Sequence, residues 1–330
     1  MLELDLLRQL QSGSAGDAWQ AISAFVWQVF RAPLETKTAT TEVTHRDRQI
    51  ASLDLCLSTT AWELWQEFNA VADHTADALV KWWDEQNAER AVLILDGLSL
   101  RESAWILQGA AQRGYQVSGK ATAAELPADT TPFAKALGFS QRSALENNQA
   151  PATHRLTGAV TDSVDLPWED CLPVVGSASR LVLWHHWPDT RLHDFAAPGK
   201  GLKAMTNDAA AKLNDDTFWT LIERLTTGRK LLITSDHGYA ATGVFPDTHD
   251  EQQAKYLKEV FRSGRWAAKN QLPDPLPVLP PLDVTLETKH GQNRFVLGRR
   301  KWKSQSGYPT LTHGGLSVLE VLSPFIELAR

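Results

Sequence analysis

The sequence predicts an α/β protein, with a mainly parallel sheet between helices and a helical N-terminal segment ahead of it. Three observations predict this. Short strand-like runs recur at Ala91–Leu95, Tyr115–Lys120, Arg180–His186 and Lys230–Ser235. Segments with apolar residues at helical spacing lie between them. The first and fourth runs end directly in aspartate, at Asp96 and Asp236, and the third runs out through Trp187-Pro188 to Asp189.

Residues 1–90 read as the helical segment. Ala61–Glu89 places Leu64, Phe68, Val71, Leu79 and Trp82 on one helical stripe, interrupted only by Thr75. Residues 91–330 read as the α/β domain. After Asp96-Gly97 a helix is expected over Leu100–Arg113, opened by a Ser99/Glu102 capping box. Strand Tyr115–Lys120 follows, then a helix over Pro132–Leu137 with Thr131 as its N-cap and Pro132 at its first position. Residues 140–175 are polar and proline-containing and read as a loop-rich connection. The third run is followed by a helix over Ala209–Thr227, stopped by Gly228, and then by the fourth run. A helix near Gln252–Arg262 precedes a proline-rich stretch at 273–281. Val284–Glu287 and Arg294–Leu297, separated by a stretch containing Gly291-Gln292-Asn293, read as a β-hairpin. Leu316–Leu322 reads as a short helix and Pro324–Leu328 as a last strand.

Composition narrows the function classes. The chain has 330 residues, 43% of them apolar, enough for one large domain or a domain with a cap. A net charge of −6 gives no global support for nucleic-acid binding. Arg299-Arg300-Lys301-Trp302-Lys303 is the best local basic patch, with a solvated hairpin tip as the plainer reading. Cys56 and Cys171 lack a metal-type spacing and read as reduced, inert core thiols. No run approaches the roughly 18 apolar residues of a membrane span, and no signal peptide is visible, so the expectation is a cytoplasmic protein without a membrane partner.

Three aspartates at the ends of parallel strands converge on one sheet edge. Buried together without counter-charge they repel, and cations are the simplest compensation. Each alone is an ordinary turn-former. Histidines tip the balance: His237 follows Asp236, His193 lies four residues after Asp189, and His313 sits in Thr312-His313-Gly314-Gly315. Asp and His donors without thiolate suit zinc or manganese. Three carboxylates and three neutral imidazoles carry −3, so two divalent ions leave a net positive site that attracts a phosphate ester. The segment Leu126–Phe133 places threonine hydroxyls ahead of a helix N-terminus, which favours a phosphoryl group.

Taken in order, these elements resemble the alkaline phosphatase superfamily. They are Asp-Gly after a strand, Pro-x-x-Thr before a helix, Asp-x-x-x-His, Ser-Asp-His-Gly and Thr-His-Gly-Gly. Thr312 to Glu320, closely followed by Pro324, looks like the end of a PglZ domain, and Leu93 to Glu102 like its start. The resemblance covers about residues 90–330. It implies an alkaline-phosphatase-like three-layer sandwich and two divalent metal ions. One ion would be held by Asp96, Thr130, Asp236 and His237, the other by Asp189, His193 and His313, with Asp194 as the substitute for His193. His185 or His186 could also enter the site. The phosphodiesterase pattern Pro-x-x-Thr-x-Pro falls on Pro127, Thr130 and Pro132, which makes Thr130 the nucleophile in preference to Thr131. Sulfatase activity is excluded, because neither cysteine has the required surroundings.

The implied function is a metal-dependent phosphodiesterase or phosphatase acting on a phosphate ester, nucleotide or oligonucleotide. PglZ proteins occur in bacterial phage-defence loci and related domains in signalling proteins, so protein partners of such systems are implied by analogy. The rival reading is a metal- or nucleotide-binding scaffold with little catalysis. A phosphomutase-like transferase ranks below both, since residues 140–175 are too short for the inserted domain it needs.

Overall fold

The computed structural model describes residues 4–35, 37–85, 89–242, 248–270, 272–304 and 307–330. Its centre is a six-stranded sheet in the order β2 (Gln116–Ala123), β11 (Leu322–Ala329), β5 (Lys230–Thr234), β1 (Arg90–Leu95), β4 (Arg180–His185) and β3 (Val160–Val164). The pairs β5–β1, β1–β4 and β4–β3 are parallel, and β11 runs antiparallel to both its neighbours. The expected mixture of helices with a mostly parallel sheet is therefore present.

Side-chain alternation along β1 explains why the sheet carries helices on both faces. Ala91, Leu93 and Leu95 join one apolar cluster with residues of α2 (Ala15–Arg31), α3 (Ala39–Thr59), α4 (Leu64–Val71), α6 (Ser103–Gln112), α10 (Gly201–Leu213) and α11 (Asp216–Thr226). Val92 and Ile94 join the other with α5 (Thr75–Asp84) and α7 (Thr130–Ala136). At about 25 cal/mol per Å² of apolar area, this two-sided burial drives the packing. The helices of residues 1–90 thus share their cores with the sheet. A short α1 (Leu4–Ser12) packs on α2.

Several elements differ from the sequence reading. The stripe over Ala61–Glu89 is two helices, because the chain turns at Ala72–His74 and pairs with β2: Ala123 N donates to Asp73 O at 2.8 Å. Phe68 then packs on one face of the sheet and Leu79 and Trp82 on the other. Ala209–Thr227 is also split, since the Asp215 carboxylate accepts from Thr217 N at 2.8 Å and starts a new helix. The connection over 140–175 contains β3 and the single turn α8 (Trp168–Cys171). β3 is Val-Thr-Asp-Ser-Val, and ladder pairing with β4 makes the strand that its composition does not announce.

A second, antiparallel sheet combines β7 (Trp266–Ala268), β8 (Asp283–Thr288) and β9 (Gly291–Val296), next to α12 (Glu251–Phe261). The β8–β9 hairpin turns at Lys289-His290, so Gly291-Gln292-Asn293 belongs to strand β9. The final helix is one turn, α13 (Val318–Val321), leading straight into β11. The basic run is no hairpin tip. Arg299 is 0% exposed and paired with Asp47 and Asp54, and Trp302 is buried. Cys171 is buried, where burial and nearby acids push its thiol up to about 12, but Cys56 is half-buried on α3 and not a core thiol. No described helix is long and apolar enough to cross a membrane.

Candidate metal centre

The parallel strands run in phase: Arg90 pairs with both Arg180 and Lys230, so β1, β4 and β5 end at one edge. Asp96 leaves β1 there. Its backbone N–H donates to His185 O at 3.0 Å, and its carbonyl accepts from Asp189 N at 2.9 Å. The loops carrying the first two aspartates are therefore tied together. Gly97 donates its N–H to Asp236 Oδ1 at 2.9 Å and ties in the third. This turn requires glycine: φ is +71°, and a Cβ would lie 3.2 Å from Asp189 Cβ and 3.4 Å from His237 Cε1.

Asp236 follows β5, and its Oδ1 also accepts from His237 N at 3.0 Å. His237 Nε2 lies 3.6 Å from Asp236 Oδ2 and 3.8 Å from Asp96 Oδ1. Asp189 begins the helix α9 (Asp189–Phe195), and His193 one turn later brings its Nε2 to 3.3 Å from Asp189 Oδ2. His313 follows β10 (Leu311–Thr312), which pairs with β6 (Ala240–Ala241) just beyond His237. Its ring stacks on that of His237 at 4.1 Å and 18°, and its Nε2 is 3.7 Å from Asp189 Oδ1. Thr130 donates from Oγ1 to Asp96 Oδ1 at 3.2 Å. All seven residues singled out in the sequence thus meet at one edge of the sheet.

The cap of α7 differs from expectation. Asp129, not Thr131, is the N-cap, and Thr130 is the first helical residue, its N–H donating to Asp129 Oδ1 at 2.8 Å. With 7 residues, α7 contributes little dipole. Asp129 is a residue the sequence reading missed as a donor: its carboxylate groups with His237 and His313. Two further groupings, Asp189/His193/His313 and Asp96/Asp189/His237, also bring their donor atoms within 4.8 Å of one another. Asp189 belongs to both and lies between them.

Both central histidines are oriented by backbone carbonyls. His237 Nδ1 is 2.9 Å from Gly238 O, and His313 Nδ1 is 3.2 Å from Ala128 O. A carbonyl only accepts, so Nδ1 carries the hydrogen and the neutral ring turns a bare Nε2 toward the carboxylates, as metal-ligating histidines do. Asp189 Oδ1, Asp236 Oδ2 and His237 Nε2 are all buried without a hydrogen-bond partner. Three unsatisfied polar atoms in one place are costly. Divalent cations that take carboxylate and imidazole ligands would satisfy such atoms, so the donor set fits the metals expected for it.

The electrostatics agree. Burial, and then the charges of Asp236 and Asp189, hold the Asp96 carboxyl well above its usual range, against His237 and Arg142. Burial opposes ionisation of Asp189 too, but the His193 hydrogen bond and the neighbouring imidazoles hold it below the usual range. Burial works against a charged His237, yet Asp236, Asp189 and Asp96 together push it up to about 9. A proton on His237 partly offsets the charge of these carboxylates. The Asp189 hydrogen bond raises His193, while burial and then His237 lower His313.

Arg142 was also missed. Its Nη1 pairs with Asp96 Oδ2, which accepts from Trp184 Nε1 at 3.1 Å as well. It comes from the connection read as a loop, and no motif marks it. Other candidates fall away. Asp194 is exposed and paired with Arg191 at 2.8 Å, so His193 is the residue facing Asp189. His185 is engaged through both nitrogens, at 2.8 Å from Leu166 O and 2.9 Å from Trp187 N. His186 bonds Ser163 Oγ at 3.0 Å. Ser99 caps its helix in a complete capping box with Glu102.

No known family model matches the chain, and no curated protein matches its sequence.

Proposed function

We propose that this chain is a metal-dependent phosphoric ester hydrolase, a phosphodiesterase or phosphatase of the PglZ type with an alkaline-phosphatase-like fold. Its nucleophile is Thr130. The observation that carries this reading is the set of orphaned donors, Asp189 Oδ1, Asp236 Oδ2 and His237 Nε2, gathered beside a threonine whose hydroxyl bonds Asp96. Asp96, Thr130, Asp236 and His237 would hold one divalent cation, and Asp189, His193 and His313 the other, zinc being favoured over manganese by the histidines. Bound cations supply positive charge for the phosphate oxygens and acidity for the attacking hydroxyl.

The chain's own residues orient the rest. Asp96 Oδ1 accepts the Thr130 hydroxyl hydrogen, which fixes the rotor and gives the proton a destination. Thr130 Oγ1 forms a bond to phosphorus as the bond to the leaving oxygen breaks and the alcohol or phenol departs. Water then cleaves the phospho-threonyl bond, restoring the Thr130 hydroxyl and releasing phosphate from a monoester or a phosphomonoester from a diester. Substrates are phosphate esters, nucleotides or oligonucleotides, and the setting is a cytoplasmic defence or signalling system.

A scaffold that binds metal or nucleotide with little catalysis is the second reading. Arg142 favours it, since its guanidinium already neutralises Asp96. Two variants decide. Asp236→Ala should lose bound metal and turnover of bis-p-nitrophenyl phosphate together; full activity in that variant ends the assignment. Thr130→Ala should keep metal, measured by elemental analysis, and lose kcat by at least about a thousandfold. A scaffold shows no turnover to lose.

A further inference from the structure

Helix α3 buries two carboxylates, Asp47 and Asp54, at 0% and 1% exposure. Buried acids are costly unless paired and hydrogen-bonded, and both are committed to the metal centre's loops. Asp47 Oδ1 accepts from Arg101 Nε at 2.9 Å and Nη2 at 2.5 Å, and its Oδ2 accepts from Arg299 Nη1 at 2.7 Å. Arg299 Nε donates to Asp54 Oδ2 at 2.7 Å. The network then reaches backbone. Arg101 Nη1 donates to Tyr239 O at 2.7 Å, two residues beyond His237. Asp54 Oδ1 accepts from Val318 N at 2.6 Å, on the segment that follows His313.

Glu320 joins the two loops. Its carbonyl accepts from Gly238 N at 2.9 Å, next to His237. Its Oε1 accepts from Gly315 N at 2.9 Å, just past His313, and from Arg265 Nε at 2.6 Å. Its Oε2 accepts from Ser317 Oγ at 2.6 Å. Arg265 also donates to Arg300 O at 2.9 Å and to Gly298 O, on either side of Arg299. The contacts close into one frame.

We infer that this frame, with Glu320 as its positioning residue, sets the spacing of His237 and His313 and makes α3 part of the metal centre. The inference rests on the metal-binding reading above. His237 and His313 stack at 4.1 Å and approach Asp189 from neighbouring loops, so a shift of either loop changes which donors converge. Glu320 acts on both loops through backbone N–H groups, and α3 braces them through Arg101, Arg299 and Val318.

Cobalt(II) tests this, because its visible absorption reports ligand geometry as well as affinity. Glu320→Gln keeps an acceptor for Gly315 N but removes the charge facing Arg265; Asp54→Asn does the same on α3 toward Arg299. Each should weaken cobalt binding by roughly 10-fold and alter the absorption bands, the low end of the range for outer-sphere partners, because both act on the ligands through the loop backbone. Ile22→Ala, a cavity in the core on α2, should lower the melting temperature and leave cobalt affinity and spectrum unchanged. If Glu320→Gln does not fold, Ser317→Ala removes only the bond to Oε2 and is read the same way. Variants that melt early yet bind cobalt with wild-type affinity and spectrum overturn the inference alone. Wild-type protein that takes up no cobalt overturns the metal reading, and this inference with it.

Discussion

At Asp96 a single carboxylate meets a hydroxyl from Thr130, an indole N–H from Trp184 and a guanidinium from Arg142. The guanidinium is the partner that would compete with the proposed cation. Its side chain is 27% exposed, so the pair is partly screened, but Asp96 itself is fully buried. Replacing Arg142 with alanine leaves that carboxylate short of positive charge in the metal-free protein. Zinc affinity should rise by about tenfold, which is about 1.4 kcal/mol, in a competition titration against a chelating dye. Metal-free stability should fall by about 1–3 kcal/mol in urea. Weaker zinc binding in this variant means that Arg142 assists the cation. Arg142 was not legible in the sequence, since an arginine in a polar connection carries no local mark of its partner 46 residues away. Asp129 was legible only as the neighbour of Thr130, because its approach to His237 and His313 depends on where the segments of Ala128 and His313 meet.

The elements are placed by their contacts with each other, and Gly109 of α6 shows how close an approach to α11 one residue admits. A Cβ on Gly109 of α6 would lie 2.0 Å from Cζ2 of Trp219 on α11. The ring cannot easily yield: its N–H donates to Leu213 O at 2.9 Å, and Arg113 covers its face at 4.5 Å. Two effects oppose in Gly109→Ala. Helix propensity favours alanine by up to about 1 kcal/mol, whereas overpacking costs about 1–3 kcal/mol. With a fixed ring the second should win, and the urea midpoint should drop with an unchanged slope. A midpoint that rises means α6 and α11 can separate. The sequence marked both helices by period, but a period does not show that a glycine is there to admit a neighbour's ring. The divisions between α4 and α5 and between α10 and α11 were hidden for a related reason: apolar spacing continues across a turn, whether the two helices bury against opposite faces of the sheet, as α4 and α5 do, or join one cluster, as α10 and α11 do.

For the molecule as a whole, the buried Asp/His cluster makes stability depend on pH. His237 is pushed from its ordinary 6.5 up to about 9 by the buried aspartates. A raised folded value means that the folded state holds the proton more tightly than the unfolded chain. The stabilisation is therefore fully present below pH 6.5 and is lost as pH rises through about 9. Thermal melts of metal-free protein between about pH 6 and pH 10 should show this decline, and His237→Asn should flatten it. A wild-type profile that is flat over this window counts against the charge balance described. A cation that took His237 as a ligand would displace the same proton, so zinc uptake should release acid and tighten as pH rises.

What the sequence determined alone is the local part of this protein. Apolar runs mark buried strands, and Asp96, Asp189 and Asp236 mark their exits, because strand burial and turn chemistry are written within a few residues. The order of Asp and His along the chain then points to a cation site. Tertiary structure alone decided which carboxylates are paired and by what. Arg299, in a run that reads as a basic surface, is buried against Asp47 from 252 residues away, and Glu320 grips the loops of both His237 and His313. The physical reason is range: periodicity and capping act over one or two turns, while desolvation and ion pairing act between whatever surfaces the sheet register brings together.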